Sequence, residues 1–125
     1  MLAAAAACAH APPAGEPPRQ ERAAERWPAA EVGLASYYGG RFQGRTTASG
    51  ARFDKHALTC AHRSAPFGTR LLITELERGR SVVVTVNDRG PFARGRVVDL
   101  SLAAARKLGI VERGVARVRV ERLAE

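Results

Sequence analysis

Aromatic side chains are scarce in this sequence. They make up 6% of its 125 residues, so it lacks the aromatic-rich platform on which single-stranded nucleic acids stack. Lysine is nearly missing as well. Only Lys55 and Lys107 occur, and arginine supplies the rest of the basic residues behind a net charge of +8. No Lys/Arg run stands out. Scattered positive charge reads first as a solvated surface. Its second reading is a match for an anionic partner, such as lipid head groups or an acidic wall polymer. Nucleic acid is not expected as a partner. No apolar stretch approaches the roughly 18 residues that a membrane-spanning helix needs. There are two cysteines, Cys8 and Cys60, and no Cys-x-x-Cys pair. Neither a metal nor a cofactor is therefore expected.

What is present is enough apolar material for one small domain. The apolar share is 46%, and with so few aromatics Val, Leu, Ile and Ala must fill the core. The domain expected over residues 33–125 is preceded by two other segments. Residues 1–8, "MLAAAAAC", resemble the end of a lipoprotein signal, with small residues before Cys8. A secretory signal also needs a basic start and an apolar stretch of roughly 7–15 residues. Two readings are open: a signal whose start lies upstream of Met1, which is preferred, or an alanine-rich tail. On the preferred reading Cys8 carries lipid and Cys60 stays unpaired. Residues 9–32 hold Pro12, Pro13, Pro17, Pro18 and Pro28 among alternating Glu and Arg. That composition predicts a disordered linker.

From Gly33 onward the pattern is mostly strand. "GLASYYG" and "ALTCAHR" read as short strands, and "RFQGRTTASGARFD" between them as a loop. "TRLLITELERGRSVVVTVND" predicts a hairpin turning near Glu77–Arg80, with arms rich in Val, Ile, Leu and Thr. "GRVVDLS" is a further strand, and "GVARVRVERL" alternates apolar and basic residues as a half-exposed last strand. "SLAAARKLG" predicts the single helix, with Ser101 as N-cap and Gly109 as its stop. Five or six short strands in about 90 residues fit a closed barrel, which leaves no sheet edge exposed. The fold class is thus all-β, a six-stranded barrel with one short helix, and a monomer is expected.

Two aspartates bracket the stretch "VNDRGPFARGRVVDLS". Asp88 ends an apolar strand ahead of Gly90-Pro91, where it reads as a turn former, a hydrogen-bond hub or an acid catalyst. Asp99 lies between Val98 and Leu100, so a buried carboxylate tying strand to helix competes with a second acid. Asp88 is expected to face an open groove, and Asp99 to be more buried and mainly structural. Tyr37 and Tyr38 suit either barrel packing or stacking on a sugar ring, since each has an apolar face and a polar tip. His62 suits proton transfer but is more often a structural hydrogen-bonder. Arg89 suits either an ion pair with Asp88 or a carboxylate on a ligand.

The segments "GLASYYG", "RTTASG", "FD", "ALTCAHRSAPFGT", "VNDRGPF" and "RVVDLSLAAARKLG" occur in this order from Gly33 to Leu123. In this the chain resembles the rare lipoprotein A-like proteins, whose fold is a double-psi β-barrel. The resemblance implies a peptidoglycan glycan strand as partner. It also implies lytic transglycosylase activity on the bond between N-acetylmuramic acid and N-acetylglucosamine, with a 1,6-anhydro product. It implies a lipid-anchored place at the periplasmic face of a bacterial envelope membrane. Asp88 then matches the family's catalytic aspartate and His62 a histidine near its active site. Asp99 matches a groove aspartate of the related expansins. Thr47, Asp54, Tyr37, Tyr38 and Arg89 fall to substrate binding. One position departs from the pattern: the glutamate usual after "TASG" is Ala51 here. That loss favours a second reading, a non-catalytic, expansin-like module that binds wall glycan without cutting it.

Overall fold

The computed structural model describes residues 29–38 and 42–123. Cys8, the signal-like stretch and the Pro-rich segment through residue 28 lie outside the described residues. Six strands form: β1 Ala30–Tyr37, β2 Thr59–Ala61, β3 Arg70–Glu75, β4 Ser81–Asp88, β5 Arg96–Leu100 and β6 Ala116–Arg122. One helix, α1, spans Leu102–Leu108. The strands close in the order β1-β5-β2-β4-β3-β6, so every strand has two neighbours and none is left as a free edge. β1/β5 and β2/β4 pair parallel, and the other four pairs are antiparallel.

Alternation explains which side chains go inside. On β3, β4 and β6 every second residue is buried, as a two-residue period on a closed sheet requires. Leu71 and Ile73, Val82, Val84 and Val86, and Val118 and Val120 fill the interior with Val98 and Leu100 of β5. The outward positions of β6 are Arg117 and Arg119, which accounts for part of the scattered positive charge.

α1 starts where expected. The Ser101 hydroxyl accepts from Ala104 N, and Gly109 ends the helix in the left-handed region at φ 73°. Ile110 N then bonds back to the Ala105 carbonyl at 3.1 Å, which satisfies one of the orphan carbonyls at the helix end. The small buried face of Ala104 and Ala105, with Leu108, lets α1 lie close on the barrel, chiefly against β4.

The barrel begins earlier than residue 33. Ala30, Glu31 and Val32 already pair with Glu121, Val120 and Arg119 of β6. The charge at Glu31 and the nearby prolines masked this strand in the sequence. Its backbone groups are taken up by the β6 ladder, and the Glu31 carboxylate reaches the His62 ring at 2.8 Å. At Gly33 only glycine fits. A Cβ there would lie 2.5 Å from Val97 Cγ1 and 3.1 Å from the Gly95 carbonyl, where the β1–β5 register shifts between Leu34 and Ala35.

The hairpin turn between β3 and β4 rests on a charge that sequence patterning did not flag. Glu75 is fully buried, and its carboxylate accepts from the backbone N–H groups of Glu77 and, at 2.9 Å, Arg78. The Arg113 guanidinium stands 3.4 Å away. Burial works to raise the Glu75 pKa. The Arg78 and Glu77 hydrogen bonds and the Arg113 charge outweigh it, and the carboxyl is held below its ordinary range.

Candidate active-site groove

The site is built on a row of residues that the strand register places side by side. Ser36 of β1 pairs with Asp99 of β5, Asp99 pairs with Ala61 of β2, and Ala61 pairs with Asp88 of β4. Residues in register on neighbouring strands point to the same face. The two aspartates are therefore two strand spacings apart, about 10 Å between Cα atoms. The residue between them is alanine, so no large side chain on the row separates them.

Asp88 is the more heavily bonded of the two. Its Oδ1 accepts from Ala48 N and from Arg89 N, each at 2.9 Å, and its Oδ2 accepts from the Tyr38 hydroxyl at 2.8 Å. Each carboxylate oxygen has two acceptor positions, so one on Oδ2 stays open. Asp99 accepts a short hydrogen bond from the Ser36 hydroxyl on Oδ1, and its Oδ2 has no partner among the described residues. Both aspartates are half-buried, and both line the groove. Asp99 thus lines the groove alongside Asp88 and is not fully buried. Its flanks, Val98 and Leu100, point into the core, and strand alternation turns Asp99 the other way.

Tyr38 crosses the row. Its ring packs edge-on to Phe53 with centroids 4.9 Å apart and tilts against Phe42 at 5.5 Å. Burial first, then the bond to Asp88 and the charges of Asp88 and Asp99, push the phenol far above its ordinary pKa. Tyr38 thus keeps its proton and serves Asp88 as a donor. Tyr37 is held apart from Asp88: its hydroxyl donates to the Val111 carbonyl at 3.0 Å, and its half-buried ring packs against the core and lines the second lobe.

The groove has two lobes. The first, about 460 Å³, is walled by Tyr38, Phe42, Arg45, Thr47, Phe53 and the loop from Asp88 to Ala93. The second, about 520 Å³, extends over Ser36, Tyr37, Gly114 and Val115. Tyr38, Phe42, Arg96 and Asp99 line both lobes. Thr47 lies on the wall and is 7% exposed. Its hydroxyl donates to the Ala51 carbonyl at 2.7 Å, so it shapes the loop that delivers Ala48 N to Asp88.

Two expected site residues, His62 and Asp54, lie off the groove wall, and Arg89 on it is partly held by backbone. His62 is 3% exposed and is not on the groove wall. Its Nδ1 accepts from Ser64 N at 3.2 Å and Ala65 N at 3.0 Å, which leaves the hydrogen on Nε2, donated to Glu31. His62 holds a turn whose carbonyls, His62 and Ala65, receive the Arg89 guanidinium at 3.2 and 2.8 Å. Arg89 also lies over the Phe67 ring at 4.0 Å. Its Nη1 is thus given to backbone carbonyls, its backbone N reaches Asp88, and the residue remains on the groove wall. Asp54 is exposed and accepts from His56 N at 2.9 Å. It forms a turn outside the groove, while its neighbour Phe53 turns inward and is 2% exposed. Ala51 is exposed and is not part of the groove wall.

Phe42, Arg45, Phe92 and Arg96 are groove residues that sequence reasoning missed. Phe92 stood in the quoted "NDRGPF" segment, but exposure cannot be read from a motif. Among the described residues no three His, Cys, Asp or Glu side chains gather as a metal-ligand set, and no helix is long and apolar enough to cross a membrane.

A closed six-stranded barrel of this topology, with an open groove bearing two carboxylates, defines a double-psi β-barrel protein of the kind shared with expansins. A family model described as lytic transglycolase matches residues 30–120, and the chain belongs to this family as an RlpA-like member. It is 60% identical over 91 residues to a probable endolytic peptidoglycan transglycosylase RlpA of Nostoc, covering 71% of this chain and 24% of that one. It is 52% identical over 90 residues to endolytic peptidoglycan transglycosylase RlpA of Pseudomonas aeruginosa strain PAO1, covering 72% of this chain and 26% of that one. The chain thus spans about a quarter of the length of these relatives. Among solved structures, an apo expansin of Clavibacter michiganensis matches with a TM-score of 0.60 and 27% identity, over 77% of this chain and 51% of that one. Streptomyces papain inhibitor shares the fold at a TM-score of 0.61 and 24% identity, over 76% and 94% of the two chains.

Proposed function

We propose that this barrel is a peptidoglycan-active domain that cleaves between N-acetylmuramic acid and N-acetylglucosamine, leaving a 1,6-anhydro end. The observation that carries this reading is the pair of groove-facing carboxylates, Asp88 and Asp99, registered on either side of Ala61 in a chain of this family. A glycosidase that uses water needs one carboxyl as acid and a second as base or nucleophile. Here the C6 hydroxyl of the sugar itself is the nucleophile. The protonated Asp88 carboxyl gives its proton to the glycosidic oxygen, and the bond to C1 breaks. The C6 oxygen then closes on C1, and its proton returns to Asp88, which ends as it began. Asp99 faces the developing positive charge at C1 and stabilises it. Tyr38 and Ala48 N hold Asp88 in place, and His62 acts at one remove, through the turn that fixes Arg89.

Cys8 would carry lipid and hold the barrel at the periplasmic face of an envelope membrane. One acyl chain binds only marginally, so a two-chain lipid is what makes such an anchor stable.

A second reading, a silent glycan-binding module, is favoured by Ala51, which removes a carboxyl from the loop beside the groove. Digestion of purified, peptide-stripped glycan strands separates the two. Anhydro-sugar products detected by mass spectrometry support the enzyme. Binding without products supports the module.

A further inference from the structure

Among the described residues, three of the five exposed large apolar side chains lie together on the outside of the barrel: Val32 at 49%, Leu34 at 37% and Leu76 at 40%. The strand register sets them beside two arginines. Val32 pairs with Arg119, and Leu34 with Arg117, across β1 and β6. Leu76, one residue past β3, gives its N–H to the Arg117 carbonyl at 3.1 Å. Residues in register on neighbouring strands share a face. Arg117 and Arg119 are exposed, and neither guanidinium has a hydrogen bond, ion pair or ring contact among the described residues. The acid among the outward residues of β1 and β6 is Glu121, in register with Ala30. None of these side chains lines either lobe of the groove.

We infer that this face docks the barrel on an anionic lipid bilayer. Apolar side chains grouped on a surface and edged by charge of one sign mark a binding site. Val and Leu side chains enter the boundary between head groups and acyl chains. Arginines beside them lay their stems along apolar surface and carry their guanidinium groups to the phosphates. Charge decides among the occupants. A neutral partner would cover Val32 and Leu34 but take water from two unpaired guanidinium groups and give nothing back. A second copy seated face to face would bring arginine against arginine. A bilayer with anionic head groups meets both halves of the chemistry on one plane. The course of the chain favours lipid over an acidic protein. Ala30, the first residue of β1, is on this face, so a lipid on Cys8 would draw this side of the barrel toward its membrane. The face does not depend on that anchor and is tested without it.

The test is co-sedimentation of the full, unlipidated chain with vesicles. These are made of phosphatidylcholine alone or of phosphatidylcholine and phosphatidylglycerol in equal parts. Thermal melting checks that each variant folds. The wild type is expected to bind the mixed vesicles, more weakly as salt rises, and not the neutral ones. Arg117→Gln with Arg119→Gln should weaken binding by more than about tenfold, since each arginine at an anionic surface contributes about fivefold. Val32→Ser with Leu34→Ser should weaken it by roughly fivefold. Arg106→Gln with Lys107→Gln removes the same charge from the exposed end of α1 and should change binding by less than about twofold. If this control loses as much as the Arg117 and Arg119 pair, net charge alone draws the chain to the vesicle and the face is wrong. If Val32→Ser with Leu34→Ser binds like wild type, no apolar contact is made and the docking proposed here fails. A wild-type dimer in analytical ultracentrifugation that Leu34→Arg abolishes would give the face to a second copy instead. A folded wild type that binds neither vesicle would overturn the lipid surface in favour of an acidic protein partner, and would leave the Cys8 anchor standing.

Discussion

The Tyr38 hydroxyl donates to Asp88 Oδ2 at 2.8 Å, joining the residue after β1 to the end of β4 across the row that carries both aspartates. Burial and the two negative charges keep the proton on Tyr38, so the bond has a fixed direction. Tyr38→Phe removes the donor and keeps the ring that packs on Phe42 and Phe53. It is expected to lower stability by about 0.5–1.5 kcal/mol. Glycan cleavage should fall by a larger factor, because Asp88 loses one of the groups that orient it. Urea unfolding and anhydro-sugar release measure the two effects separately.

The hydrogen-bond pattern predicts that the two aspartates differ in the opposite sense to what their flanking residues suggest. Asp88→Ala leaves the Tyr38 hydroxyl and the N–H groups of Ala48 and Arg89 without their acceptor, at a cost of about 1–3 kcal/mol. Asp88→Asn keeps an acceptor and should cost less, yet it should abolish cleavage because no proton can be exchanged. Asp99→Asn, with one bond to Ser36 at stake, should cost under about 1 kcal/mol and slow cleavage without abolishing it. Greater destabilisation by Asp99→Asn than by Asp88→Ala would contradict this ranking.

Alkaline pH should destabilise the barrel in two steps. Burial, with the Asp99 charge behind it, pushes the Cys60 thiol up, and Tyr38 is raised as well. Both groups keep their protons in the folded chain at pH values where the unfolded chain releases them. Their contribution is complete below the unfolded pKa values, about 8.5 and about 10, and is lost as pH rises above them. Cys60→Ala should remove the earlier step and leave the later one, as seen in melting temperature against pH.

On the acid side the relevant group is Glu75. Its folded pKa is lowered, so its contribution is present above the unfolded value, about 4.3, and is lost as pH falls through the folded value. Glu75→Gln should flatten this part of the acid limb. A variant that keeps the wild-type slope below that pH would show that Glu75 is not the group responsible.

Ala51→Glu probes the departure from the family pattern. Position 51 is exposed and its carbonyl, not its side chain, holds the loop, so stability should stay within about 0.5 kcal/mol of wild type. Cleavage of peptide-stripped strands should rise. If only the variant cuts, the natural chain is the silent module.

Strand alternation on β3, β4 and β6, the hairpin turn, and the Ser101 and Gly109 caps of α1 were determined by local sequence. Side-chain period and terminal hydrogen bonding are properties of neighbouring residues, and they are written into the order of the chain. The family motifs also marked Asp88, though not what surrounds it. The closed strand order was beyond local reading, and so was the start of β1 at Ala30, because both depend on pairing between residues far apart in the chain. The same holds for the site. His62 went to a buried support, Asp54 to an outer turn, and one Arg89 nitrogen to two backbone carbonyls. A residue type states which bonds a side chain is able to make. Only the register that sets Ser36, Asp99, Ala61 and Asp88 in one row, and the packing of Tyr38 across it, decided which bonds were made and which groups were left facing the groove.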